Sequence, residues 1–135
     1  MNLLGRTKIV TSILPVVHNA GLTETVIDCT GFDRVCHIIH VGEIAAGGTL
    51  EYSVTESAKS DGSSGSAITG AALTKVLEAG KENVYAIDIP VNPAKPYQLA
   101  VGVAAVANVN VGAVAVLYEG SGTFPKVAAK EAIIL

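Results

Sequence analysis

The side chains that could carry chemistry in this 135-residue chain are three histidines, two cysteines and twelve carboxylates. His37 and His40 stand three apart in Arg-Val-Cys-His-Ile-Ile-His-Val, residues 34–41, which reads as a strand. A period of two sends them to opposite faces, so they cannot share one metal ion. His18 lies far from both, and the chain has neither Cys-x-x-Cys nor His-Glu-x-x-His, so no zinc site is expected. Cys29 and Cys36 make no disulfide framework. With no signal-peptide pattern at the start, they read as free thiols of a reducing cytoplasm. Gly42 to Thr49 has the outline of a phosphate-binding loop, but Gly48 stands where such a loop needs lysine. Gly62-Ser63-Ser64-Gly65 lacks the spacing and the following helix of a nucleophile elbow. Asp28, Asp33, Glu43, Glu51, Glu56 and Asp88 are scattered, and no pattern pairs them. The expectation is a protein with no catalytic, metal-binding or cofactor-binding residues.

The elements that would hold these residues are strands. Thr25 to Cys29, Arg34 to Val41, Leu50 to Glu56, Asn83 to Val91, Tyr97 to Val106 and Val109 to Tyr118 are β-branched or alternating, and glycine- or proline-marked turns separate them. Residues 68–77 are ambiguous between a short helix and short β-segments. Residues 57–66 are small and polar, and read as a mobile exposed loop. Residues 1–22 read as an extended N-terminal arm, 23–119 as the domain and 120–135 as a C-terminal tail. The fold expected is an all-β antiparallel sandwich, jelly-roll-like or immunoglobulin-like, with arms at both ends. Its core is assigned to Ile27, Val35, Ile39, Leu50, Tyr52, Val54, Ile87, Ile89, Leu99 and Val101. Tyr85 and Tyr97 also fall on apolar strand faces and read as core, not as stacking platforms.

Composition adds a constraint. Half the residues are hydrophobic, only 16% are charged and the mean hydropathy is +0.48. No apolar run reaches the roughly 20 residues of a membrane helix. The net charge of −3 argues against non-specific nucleic-acid binding. Tyr97–Val106 and Val109–Tyr118 are expected to pair as a hairpin whose two faces both lack charge. The small face, Ala100, Gly102 and Ala104 beside Gly112, Val114 and Val116, is assigned to contact with another chain, the alternative being that the arm or tail folds back over it. The apolar end of the tail, Ile133, Ile134 and Leu135, is assigned the same role. A homo-oligomer is therefore expected.

Val26-Ile27-Asp28-Cys29-Thr30-Gly31-Phe32-Asp33-Arg34-Val35 resembles the opening of small structural proteins of tailed bacteriophages. Val41-Gly42-Glu43-Ile44, residues 48–57 and Ile68-Thr69-Gly70-Ala71 continue the likeness, which covers about residues 24 to 118. The resemblance implies a β-sandwich virion protein without enzymatic activity. It implies a capsid cement, or decoration, protein on the outer capsid surface, trimeric, bound to the major capsid protein and made in the host cytoplasm. Related chains carry an Arg-rich strand where residues 97–106 have none. A head–tail joining or tail protein is the alternative, and a β-sandwich ligand-binding module or enzyme the second.

Overall fold

The computed structural model describes residues 7–22, 24–119 and 130–135. Nine strands are found among them: β1 (Thr7–His18), β2 (Val26–Asp28), β3 (Arg34–Ile44), β4 (Thr49–Ser57), β5 (Ser66–Ala72), β6 (Asn83–Pro90), β7 (Tyr97–Ala105), β8 (Val109–Tyr118) and β9 (Glu131–Ile134). One sheet has the order β1-β8-β3-β6-β9, the other β2-β7-β4-β5. The pairs β1·β8, β2·β7, β3·β6 and β4·β5 are all antiparallel and nested one inside the next. That nesting is the eight-stranded jelly roll, with β9 added as a parallel strand on the edge of the first sheet. The ambiguous stretch resolves as β5, then an extended segment that bridges Leu50 at Val76, then a single 3-10 turn, Glu78–Gly80.

Alternation places the core. Ile27, Val35, Ile39, Leu50, Tyr52, Val54, Ile87 and Ile89 all point between the sheets, as their period-two spacing predicts. The expected hairpin is different. β7 pairs with β2 and β4, whereas β8 pairs with β1 and β3, so residues 106–108 arch from one sheet to the other. The facing of β7 is also the reverse of expectation. Gln98, Ala100 and Ala104 are buried, and Leu99 and Val101 face outward, partly covered. Small inward residues make room for a large neighbour. A Cβ on Gly102 would stand 2.7 Å from Leu22 Cδ1 and 2.3 Å from the Glu51 carbonyl oxygen. Leu22 occupies that space in the core, held by its backbone N–H donating to the Gly102 carbonyl at 3.0 Å.

The segments expected to be arms supply strands. β1 forms the edge of the first sheet, broken by register shifts after Thr11 and Ile13. The second shift lays Pro15 over Gly112, so that a Cβ there would come within 2.7 Å of the Pro15 ring. β9 lies along β6. The remainder of both expected arms, residues 1–6 and 120–129, falls outside the described residues. The 57–66 loop is exposed, but it is tied down. Ser57 Oγ donates to the Ser63 carbonyl (2.6 Å) and accepts from the Lys59 N–H (3.0 Å), and Asp61 accepts from the Ser63 N–H. Gly62 rests on Val26 and Leu99, and so gives the outward Leu99 its cover.

Two outcomes follow from this packing. Gly102→Ala should cost about 2 kcal/mol or more in chemical denaturation, since its Cβ meets a backbone oxygen that cannot move alone, whereas Val103→Ser should stay within about 0.5 kcal/mol. Val106 holds φ +70° at the arch and is 86% exposed. A β-branched residue there is strained, so Val106→Gly should raise the melting temperature by relieving roughly 1 kcal/mol. An unchanged or lower melting temperature would remove strain from the account of the arch.

Candidate functional site

The chemistry-bearing residues separate into three places. His37 is wholly buried on the inner face of β3, between Val35 of a small core cluster and Ile39 of the main one. Its Nε2 lies 2.9 Å from Gln98 Oε1 on β7, so an Nε2–H donates across the gap between the sheets. His37 Nδ1 and Gln98 Nε2 find no hydrogen-bond partner among the described residues. Burial pulls the His37 pKa down to about 4, against the partial support of Gln98. Ser12 on β1 and Tyr52 on β4 form a second polar meeting of the two sheets, their hydroxyls close but without a well-directed hydrogen bond. Burial pushes the Tyr52 hydroxyl well above its usual range.

His40 points the other way, as the strand period requires, and is exposed on the outer face of the first sheet. No cluster of three or more His, Cys, Asp or Glu suited to a metal ion occurs among the described residues. The two thiols are free. Burial pushes Cys29 up to about 12 and Cys36, with help from the Asp88 charge, up to about 11. Neither is primed as a nucleophile.

The third place is the end of the outer face, where Arg34 Nε donates to Asp88 Oδ1 at 2.8 Å and the Tyr118 hydroxyl donates to Asp88 Oδ2. Arg34 Nη2 also donates to the Leu135 carbonyl at 2.7 Å. This group joins β3, β6, β8 and the end of β9. Burial, followed by the Asp88 carboxylate, raises the Tyr118 hydroxyl above its usual range.

Beyond that cluster the outer face is largely apolar, with Thr11, His40 and Asn110 among its polar side chains. Register aligns Thr11, Val114, Ile38, Ala86 and Ala132 in one row across five strands. The adjoining row is Ile9, Val116, Cys36, Asp88 and Ile134, and its one charge is neutralised by Arg34. Ile9 is 50% exposed, Val114 38% and Ile134 50%. A shallow groove of about 480 Å³ opens on this face, where Gly42 and Gly112 project no side chain. Its walls include Pro15, Ile38, His40 and Val84, and its lining holds no carboxylate, thiol or lysine.

The structure therefore divides the expected contact residues. Val114 and Val116 lie on the outer face. Gly112 lies there too, under Pro15 of the same chain. Ala100, Gly102 and Ala104 belong to the other sheet and face its interior, with Ala100 and Ala104 sealed in the core. They cannot join Val114 in one surface, because β7 and β8 are not neighbours. Of the tail residues, Ile133 packs on the core, while Ile134 and Leu135 are exposed. Ile9, Ile38 and Val84 were missed. The signal for Ile38 was present, since the strand from Arg34 is apolar on both faces.

The His37 site has a measurable consequence. The unfolded chain, with an ordinary histidine near 6.5, accepts a proton that the folded chain resists down to about 4. Stability should be complete above pH 6.5 and fall by as much as about 3 kcal/mol on acidification toward pH 4. Urea titrations across that range should show the slope, and His37→Leu with Gln98→Leu should abolish its histidine part. A slope that survives the double replacement would assign the acid sensitivity elsewhere.

No family model matches the chain, and no curated protein matches it either.

Proposed function

We propose that this chain is a non-enzymatic structural component of a virion, a cement or decoration protein. In this reading it assembles as a homo-oligomer, a trimer as its phage-protein resemblance implies, and attaches to the major capsid protein on the outside of the head. One observation carries the contact. The outer face of the first sheet presents two mainly apolar rows of side chains across five strands, in which the one carboxylate, Asp88, is paired with Arg34. A contiguous exposed apolar face marks an interaction surface in an otherwise ordinary domain, and burying it without stranding a charge avoids the largest cost of association. The resemblance at residues 26–35, 41–44, 48–57 and 68–71 gives the partner class. The jelly roll is a frequent virion architecture, but it also serves lectins and enzymes, so the fold itself adds little.

A cement protein works by adding buried area across the joints of a lattice. Each contact is modest, and attachment through several subunits at once multiplies the affinity. The rigid five-strand face suits this role because it presents its side chains without an ordering cost.

Val114 sits at the middle of the face and at the surface. Val114→Lys should leave the melting temperature within a few degrees, because the ammonium reaches water. It should shift the protein from oligomer to monomer in sedimentation and abolish co-sedimentation with assembled heads. A parent protein that stays monomeric at micromolar concentration and fails to bind heads would overturn the proposal.

A further inference from the structure

The corner of the sandwich beside His37 is closed by its most weakly held strand. β2 is an edge strand of three residues that pairs with β7 alone. Ile27 and the following Cys29 are buried there, in a small apolar cluster with Val35, Ala115 and Leu117 that is separate from the main core. His37 stands on the seam between the two clusters. Its ladder partners are Ala115 of the small cluster on β8 and Ile87 of the main core on β6. Gln98, which meets the imidazole at 2.9 Å, is the ladder partner of Ile27. The side chain that holds the ring and the strand that closes the corner are therefore direct neighbours. Backbone bonds anchor this segment on both sides: the Thr25 N–H donates to the Ser12 carbonyl (3.2 Å) and the Asp33 N–H to the Tyr118 carbonyl (3.1 Å). Between those anchors, the Cys29 N–H donates to the Pro96 carbonyl (2.9 Å).

We propose that residues 26–32 form an acid-operated flap, which lifts from β7 between its two anchors when His37 takes a proton, while the remaining strands stay paired. An imidazolium needs water or a carboxylate, and the closed corner offers the ring only the Gln98 amide. β7 and β8 carry no Asp, Glu, Lys or Arg. On β3, Arg34 is tied to Asp88 of β6, and Asp88 favours the charged ring too weakly to offset its burial. Glu56 of β4, the other ladder partner of Gln98, accepts from Asn92 (3.4 Å). Asp28 of β2 accepts from the Thr30 N–H, and Lys8 of β1 is exposed. Water reaches the ring most cheaply past β2, because β3, β4, β6, β7 and β8 are each paired on both sides, and segments with few buried contacts open first. Below pH 6.5 the open form gains a proton that the closed form resists down to about pH 4, so opening grows as the pH falls through that window. The flap is a property of the single chain, whatever the chain attaches to.

Cys29 is a built-in reporter, wholly buried when the flap is down. In a Cys36→Ser background it is the only thiol. Its rate of labelling by dithiodipyridine, which reacts with thiols in acid, is divided by the rate for the urea-unfolded chain at the same pH. Between pH 7 and pH 5, where ordinary carboxylates stay ionised, the ratio should rise about 20-fold. Amide exchange in β4 and β8, corrected for pH in the same way, should not follow it. A flat Cys29 ratio overturns the flap, and so does a rise matched by β4 and β8, which is unfolding of the whole domain. His37→Leu with Gln98→Leu should abolish the rise, and its persistence would give the opening another cause. If that pair of replacements does not fold, Gln98→Glu tests the same point. A carboxylate beside the ring lets the closed form hold the proton, so a rise that survives Gln98→Glu also overturns the flap.

Discussion

The packing of Leu22 against the small inward face of β7 is the constraint on which the rest depends. Ala100, Gly102 and Ala104 face inward, and Leu22 fills the space they leave. Because Tyr52 opposes Gly102 in the ladder, a large side chain and a missing one alternate across neighbouring strands. Interiors are packed at crystal-like density, so such size pairing fixes which residues face in. Reversing β7 would drive Leu99 and Val101 into space that Leu22 already occupies.

Polar contacts cross this apolar gap at two points, His37 with Gln98 and Ser12 with Tyr52. Each joins a strand of one sheet to a strand of the other. Hydrogen-bonding groups left partly satisfied in a core cost stability. They also penalise a shift in sheet alignment, which would leave all four side chains without even their present neighbours. The histidine makes the same interior sensitive to acid, since a charged imidazole has no carboxylate beside it between the sheets.

Outside, the sheets differ. The outer side of the second sheet has its Leu99 covered by the 57–66 loop, which rests there through Gly62. The first sheet keeps its apolar rows open, and its only charge in those rows is held by Arg34 and Tyr118. The same Arg34 anchors the end of β9, so one side chain both neutralises the open face and secures the strand at its border. The open apolar rows and the edge strand docked beside them thus share one anchoring side chain.

The sequence by itself determined six of the nine described strands, their turns and most of the core. Period-two alternation is a local property, and it placed Ile27, Val35, Ile39, Leu50, Val54, Ile87 and Ile89 inward without reference to any other element. It also placed His37 and His40 on opposite faces. Local pattern could not decide which side of β7 faces the core, because both sides are uncharged and the larger residues are no guide where space is short. Nor could it tell a hairpin from an arch: three linking residues serve either, and the choice depends on strands β1 to β4, far away in sequence. The same limit applied to residues 7–18 and 131–134, which carry little signal alone and became strands only because β8 and β6 offered them edges. Pairing between distant segments is a tertiary decision, and so the outer face, assembled from five strands, existed only once the sheet had formed.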